Sequence, residues 1–257
     1  LSRLVQLVTD RFTAAVLYTF GRWTVTGQEN VPGEGPLILV GNHIHLLDPP
    51  LVGASIKRRV RPMAKREIFE TPLIGWFFWA YGAFAVRRFS GDMGALRAAR
   101  NYLRAGEAVL MFPEGTRAKG AGMQPALPGA AMVAILADAP IVPVAITGSD
   151  IRVKTVFFQW LWHDRPKITV TFGKPFHLED LGTDGRAAEI ATDRMMRAVA
   201  ALLPEEMRGS YGEATSGQVV VARQRDRANG AQGAKSANRT NGNSPSESST
   251  AQAAPSE

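Results

Sequence analysis

Two short stretches of this chain carry side chains able to move a proton or hold an anion. In the first, Asn42-His43-Ile44-His45-Leu46-Leu47-Asp48, the apolar run PLILVGN delivers His43 into a loop, and Asp48 follows five residues later. A turn of that length can fold the carboxylate back onto the imidazole. An aspartate that accepts from one ring nitrogen fixes the tautomer and makes the other nitrogen more basic, so that it can take a proton from a hydroxyl. Asp48 also has a plain structural use. Followed by Pro49, it reads as the N-cap of a helix. The spacing alone leaves both uses open.

The second stretch is Phe112-Pro113-Glu114-Gly115-Thr116-Arg117, which follows the buried-strand pattern AVLMF. Pro113 and Gly115 bend the chain, and Glu114 and Arg117 project from the bend. They can form a weak surface ion pair, or the guanidinium can hold a phosphate-bearing ligand in fork geometry. A third run, Gly82-Ala83-Phe84-Ala85-Val86-Arg87-Arg88, ends a short apolar strand on two arginines. Either both face water or one of them reaches a phosphate at the same sheet edge.

These groups need elements to position them. Residues Ser2 to Phe20 repeat apolar side chains at helical spacing, with Leu4, Val8, Phe12 and Ala15 on one side, and predict an amphipathic helix. Such a helix either packs on its own domain or lies in a membrane interface. Strands are predicted at Trp23–Thr26, PLILVGN, RPMA, AFAVRR, AVLMF, IVPVAI and KITVTFG. Helices are predicted from Asp48 to about Lys57 and over Glu67–Tyr81, Met93–Arg104, Gly129–Ala137 and Arg186–Leu203. The alternation gives an α/β fold: a central, mostly parallel sheet flanked by helices, with functional groups gathered beyond the strand ends. From Gly209 the composition turns to Gly, Ala, Ser, Asn and Gln, which predicts a disordered tail. Its ARQRDR stretch reads as solvated. The expected division is therefore 1–21 interfacial helix, 22–208 catalytic domain and 209–257 tail.

Composition narrows the chemistry. The chain has 257 residues and no cysteine, so thiolate nucleophiles, thiolate metal sites and disulfides are excluded. The formal net charge of +7 favours anionic partners such as lipid head groups, phosphorylated substrates or nucleic acid. No nucleic-acid recognition motif accompanies that charge. Charged residues such as Asp10 and Arg11 interrupt the first twenty positions, so neither a signal peptide nor a membrane span is read there. A metal-dependent hydrolase would need ligands beyond His43, His45 and Asp48, and the H-x-H-x-D-H spacing fails. His163 and His177 read as incidental. A lipid-binding module without catalysis would use the amphipathic helix and leave His43, Asp48 and FPEGTR unexplained.

NHIHLLD, GAFAVRR, FPEGTR and IVPVAI, in that order, resemble the four blocks of the glycerolipid acyltransferases, of the 1-acylglycerol-3-phosphate (lysophosphatidic acid) type. The resemblance covers roughly Trp23 to Phe176. It implies His43 as general base and Asp48 as its orienting partner. It implies that Arg87, Glu114, Gly115, Thr116 and Arg117 bind the acceptor's glycerol phosphate. Acyl-CoA or acyl-carrier protein would be the co-substrate, with no metal and no other cofactor, and the product would be phosphatidic acid. The implied setting is peripheral, on the cytoplasmic face of a bacterial cell membrane, with lysophosphatidate and the anionic surface as partners. Another lysolipid or glycerol 3-phosphate is the alternative acceptor. Three positions depart from the family: His45 stands for a usual Ser, Ala85 for a bulkier aliphatic residue, and Leu127 for a usual Lys. In addition, the basic stretch IKRRVRPMAKR is expected to be either a solvated face or a contact for anionic lipid or CoA. The aromatic run around Trp76–Trp79 is expected to line an acyl channel or dip into the interface.

Overall fold

The computed structural model describes residues 1–87, 92–118, 122–150, 165–178, 181–182 and 184–212. Leu1–Gly212 forms one compact unit. Residues 213–257, with the ARQRDR stretch, lie outside the described residues, as do Arg88 and His163.

The strands are β1 (Arg22–Thr26), β2 (Leu37–Gly41), β3 (Val60–Lys65), β4 (Phe84–Val86), β5 (Ala108–Met111), β6 (Ile141–Thr147) and β7 (Lys167–Phe172). They form one sheet in the order β1-β7-β6-β2-β5-β3-β4. All pairs are parallel except β6 with β7. The helices are α1 (Ser2–Phe20), α2 (Asp48–Ser55), α3 (Arg66–Phe69), α4 (Ile74–Tyr81), α5 (Met93–Arg104), α6 (Gly129–Ala137) and α7 (Gly185–Ala200).

Period-two alternation divides each central strand between two cores. Ile38, Val40, Val109 and Met111 pack with Ala99, Leu103, Ala131 and Met195 of α5, α6 and α7 on one face. Leu37, Leu39, Ala108 and Leu110 pack with Leu17, Leu51 and Val52 of α1 and α2 on the other. Both faces are covered, which is why these strands read as unbroken apolar runs. β2 lies between β5 and β6. Its carboxyl end is therefore flanked by the ends of two strands running the same way, where α/β sheets place their sites.

The helix expected over Glu67–Tyr81 is two helices. Pro72 cannot continue a helical hydrogen-bond ladder, and Leu73 takes a φ of 62° before α4 begins. The domain also continues past residue 208. Gly209–Tyr211 forms a 3₁₀ turn, and the Tyr211 hydroxyl accepts from the Ala126 N–H at 2.9 Å.

Helix α1 is built inside out. Its expected apolar stripe faces outward, with Leu4 63% and Phe12 69% exposed, whereas Gln6 is only 3% exposed. Gln6 donates to the Val60 carbonyl, Arg59 donates to Gln6 and to Ser2, and Tyr81 of α4 donates to Asp10 at 2.7 Å. These polar contacts, with Leu17 in the core, hold this helix to the body, so the predicted stripe is not the packing face. Burial pushes the Asp10 carboxyl up to about 6, against the Tyr81 hydrogen bond. The folded state thus holds that proton more tightly than the unfolded chain. The associated stabilisation is fully present below the ordinary carboxylate range and is lost as pH rises through about 6. Asp10→Asn keeps an acceptor for Tyr81 and removes the ionisation. Its Tm is expected to exceed wild type by roughly 2 °C at pH 8, with the gap closing towards pH 4. Thermal scans across that range check this, and a gap independent of pH would contradict it.

The basic stretch is divided: Lys57 and Arg66 are exposed, whereas Arg58 and Arg61 turn inward. Arg58 donates to the carbonyls of Pro32, Gly35 and Gly106. Arg61 forks onto Glu107 and lies over the Tyr102 ring. Guanidinium groups suit such multi-donor work, and it draws these arginines into the fold.

Candidate active site

The site begins where β2 ends. The Asn42 side chain donates to the Ile146 carbonyl at 2.9 Å and accepts from the Ile146 N–H at 2.8 Å. This side chain supplies one more rung between β2 and β6 while the main chain turns away. His43 follows, and its ring stacks on Phe112 with centroids 4.3 Å apart. Gly41 makes room for that stack, since a Cβ there would meet the Phe112 ring at 3.3 Å.

Asp48 opens α2 and is fully buried, and its side chain caps no amide of that helix. One oxygen, Oδ2, accepts from the N–H of Ile44 at 2.7 Å and of His45 at 2.8 Å, and meets His43 Nδ1 at 2.8 Å. An oxygen already accepting two amide protons is an acceptor towards the ring as well. Nδ1 therefore carries the proton, and Nε2 keeps its lone pair. The helix-cap use that the sequence left open for Asp48 is not the one observed.

In the loop after β5, Gly115 takes a φ of 65°, and its N–H returns to the Phe112 carbonyl at 3.0 Å. That left-handed turn suits glycine. It points Gly115, Thr116 and Arg117 into a cavity of about 590 Å³ that His43 and Arg87 also line. Arg87 stands just past β4. Its N–H donates to Asp92, which also caps α5 through the amides of Gly94 and Ala95. These hydrogen bonds, the one from Arg87 first, hold the Asp92 carboxyl below the usual range.

Glu114 is placed differently from the other residues of its motif. It is buried and does not line the cavity. Its Oε1 accepts the His43 N–H at 3.1 Å, and its Oε2 accepts the Gln124 N–H at 2.7 Å. Burial pushes its carboxyl up to about 7, although both backbone donors oppose the shift.

Much of the remaining lining is apolar, with Met63, Phe78, Leu96, Met111 and Leu127. Lys65 lines it too, at the end of β3. Sequence reasoning counted Lys65 only within a diffuse basic patch. The signal that would have singled it out is its position at a strand end on the same sheet edge. Of the three departures from the family pattern, only Leu127 lines the cavity. Ala85 is exposed outside it, and His45 accepts the Leu47 N–H at 3.3 Å. Among the described residues, no group of three His, Asp or Glu side chains is arranged to hold a metal ion.

A buried carboxylate thus fixes the tautomer of a histidine that lines a cavity together with cationic and apolar side chains. The sequence model of the family described as Acyltransferase matches residues 22–147, which include His43, Asp48, Arg87 and the whole FPEGTR loop. Residues 22–147 form a domain of the acyltransferase family. Within that family the chain is 29% identical over 166 residues to the 1-acyl-sn-glycerol-3-phosphate acyltransferase of Bacillus subtilis, covering 64% of this chain and 79% of that protein. It is 29% identical over 215 residues to the 1-acyl-sn-glycerol-3-phosphate acyltransferase of Chlamydomonas reinhardtii, covering 82% of this chain and 62% of that one. The human alpha form is 32% identical over 136 residues, covering 51% of this chain and 48% of the relative. Several of these matches thus span less than two thirds of the relatives' length. The fold matches the crystal structure of the 1-acyl-sn-glycerophosphate (LPA) acyltransferase PlsC from Thermotoga maritima, with a TM-score of 0.59, 24% identity, and 78% and 80% of the two chains covered. The acyltransferase fold accounts for the shared sheet edge on which the four sequence blocks meet.

Proposed function

We propose that this protein transfers a fatty acyl group from acyl-CoA or acyl-carrier protein to the free hydroxyl of 1-acylglycerol 3-phosphate, forming phosphatidic acid. The observation that carries the proposal is the His43–Asp48 hydrogen bond beside a cavity that His43, Arg87 and Arg117 line together. His43 Nε2 takes the hydroxyl proton as the oxygen attacks the thioester carbonyl. The tetrahedral intermediate collapses, breaks the carbon–sulfur bond and releases the thiolate, which receives the proton from the imidazolium. Asp48 stabilises the imidazolium while it exists. No covalent acyl-enzyme, metal or other cofactor enters this scheme. Arg87 and Arg117, with Gly115 and Thr116, hold the acceptor's phosphate through charge-assisted hydrogen bonds. The apolar part of the lining takes acyl chain.

The enzyme works at a membrane surface, peripherally and on the cytoplasmic face. No described helix is long and apolar enough to cross a membrane. The outward apolar face of α1, however, is joined by exposed Leu73, Ile74, Trp76 and Trp79 at α4. α1 packs against α4, and α4 also contributes Phe78 to the cavity. Apolar and Trp side chains of this kind suit the bilayer interface.

The test is thioester consumption in detergent with lysophosphatidate against monoacylglycerol, which lacks the phosphate, and against other lysolipids and glycerol 3-phosphate. Lysophosphatidate is expected to be the preferred acceptor. Arg117→Ala is expected to raise its KM on the order of tenfold or more, leaving the KM for thioester within about twofold. Equal use of monoacylglycerol would remove the phosphate reading. Preference for a different lysolipid would reassign the acceptor and keep the chemistry.

A further inference from the structure

We infer that Glu114 is a positioning residue for His43 rather than a ligand of the acceptor's phosphate, and that the segment Met207–Tyr211 acts on the site through it. This carboxyl lies outside the cavity, with both oxygens engaged by backbone amides. Burying a carboxylate is costly unless hydrogen bonds compensate. Here the compensating donors are the backbone N–H of the catalytic histidine and that of Gln124, ten residues further along the loop. The His43 carbonyl is held from the other side, accepting the Ala118 N–H at 2.7 Å. The loop that bears the anion-binding residues thus clamps the main chain of the base at both ends of one residue.

The far end of that clamp is anchored in turn. Met123 N–H donates to the Met207 carbonyl at 3.0 Å, and Ser210 N–H donates to the Met123 carbonyl at 2.9 Å. Tyr211 accepts from Ala126. Gly122 and Gly209 both take positive φ and pack so closely that a Cβ on Gly122 would stand 2.8 Å from the Gly209 nitrogen. Met207, Ser210 and Tyr211 thus hold Met123 and Ala126, the residues on either side of the segment whose Gln124 N–H reaches Glu114, and Glu114 in turn holds His43. Glu114→Gln breaks this support chemically, because an amide replaces one acceptor with a donor that faces an N–H. Tyr211→Phe breaks it remotely, by removing one hydroxyl.

Because this rests on the acyl-transfer reading, the test has one readout that needs no turnover. In protein labelled with ¹⁵N-histidine in detergent, the His43 Nδ1 proton bonded to Asp48 gives a downfield resonance, assigned by its absence from His43→Ala. Glu114→Gln is expected to shift or broaden it while the amide spectrum and Tm stay near wild type. The same variant is expected to lower kcat on the order of 10²-fold, as a base displaced by less than 1 Å would, with the KM for acceptor within about twofold. Tyr211→Phe is expected to move the resonance in the same direction and to lower kcat by less. A raised acceptor KM with kcat retained would overturn the inference, because Glu114 would then be a ligand. So would an unmoved resonance in both variants. If Glu114→Gln fails to fold, Tyr211→Phe decides by the same resonance. Absence of turnover in wild type would count against the acyl-transfer reading and leave the resonance test standing.

Discussion

Replacing His43 by alanine is expected to lower kcat by about 10²–10⁴-fold, the range over which a positioned general base accelerates proton transfer. The fold should persist, because the bonds that hold this position use its backbone: the N–H goes to Glu114 and the carbonyl to Ala118. The side chain contributes a ring stacked on Phe112 and a proton donated to Asp48. The phosphate contacts proposed for Arg87 and Arg117 do not involve the imidazole, so the KM for lysophosphatidate should change little. Steady-state kinetics with a thermal unfolding control check both parts. A variant that kept its Tm and most of its turnover would show that another group takes the proton.

Asp48→Asn is expected to have the second largest effect, on the order of 10²-fold or more in kcat, and to act through the charge that steadies the imidazolium. The asparagine oxygen can replace Oδ2 and accept from Ile44 and His45, since a nitrogen there would face two donors. The loop would then be kept, but the ring would donate to a neutral oxygen, and the imidazolium formed during transfer would lose its counter-charge. The hydrogen bonds to Ile44 and His45 weaken as well, so a fall in Tm of roughly 2–4 °C should accompany the kinetic loss. Asp48→Ala should destabilise more, because it leaves both amides without an acceptor in a buried position. If Asp48→Asn lowered Tm and left kcat intact, the carboxylate would hold the loop without serving the base.

The architecture was legible because parallel strands covered on both faces show as short apolar runs, as PLILVGN and AVLMF do, and the helical segments between them keep their own period. Ser2–Phe20, Met93–Arg104 and Gly129–Ala137 were each recovered with the observed boundaries. The break at Pro72 was passed over because the apolar run of α4 continued the pattern across it. The apolar stripe of α1 was correctly found, but a period cannot say which side faces the body. That depended on Gln6 and Asp10 finding partners on α2's flank, on β3 and on α4, all distant in sequence. Arg58, Arg59 and Arg61 looked like a charged patch for the same reason, since their partners (loop carbonyls for Arg58, Ser2 and Gln6 of α1 for Arg59, Glu107 for Arg61) are remote in sequence. At the site, the motifs and the family resemblance picked out His43, Arg87, Gly115, Thr116 and Arg117, which line one cavity, and Asp48, which bonds His43 from a buried position. It did not reveal that Glu114 turns inward. The direction of a side chain in a turn depends on the left-handed φ of Gly115 and on a loop 10 residues further along.

The central claim is that His43 catalyses acyl transfer to a phosphate-bearing lysolipid in this cavity, and mass-spectrometric detection of product tests it most directly. Purified wild-type and His43→Ala protein would be mixed with lysophosphatidate and acyl-CoA, or acyl-carrier protein, in lipid vesicles. The expected result is phosphatidic acid formed in step with free thiol by wild type, and almost none by the variant although it binds the vesicles equally. Equal phosphatidic acid from both proteins, or thiol released without phosphatidic acid, would contradict it.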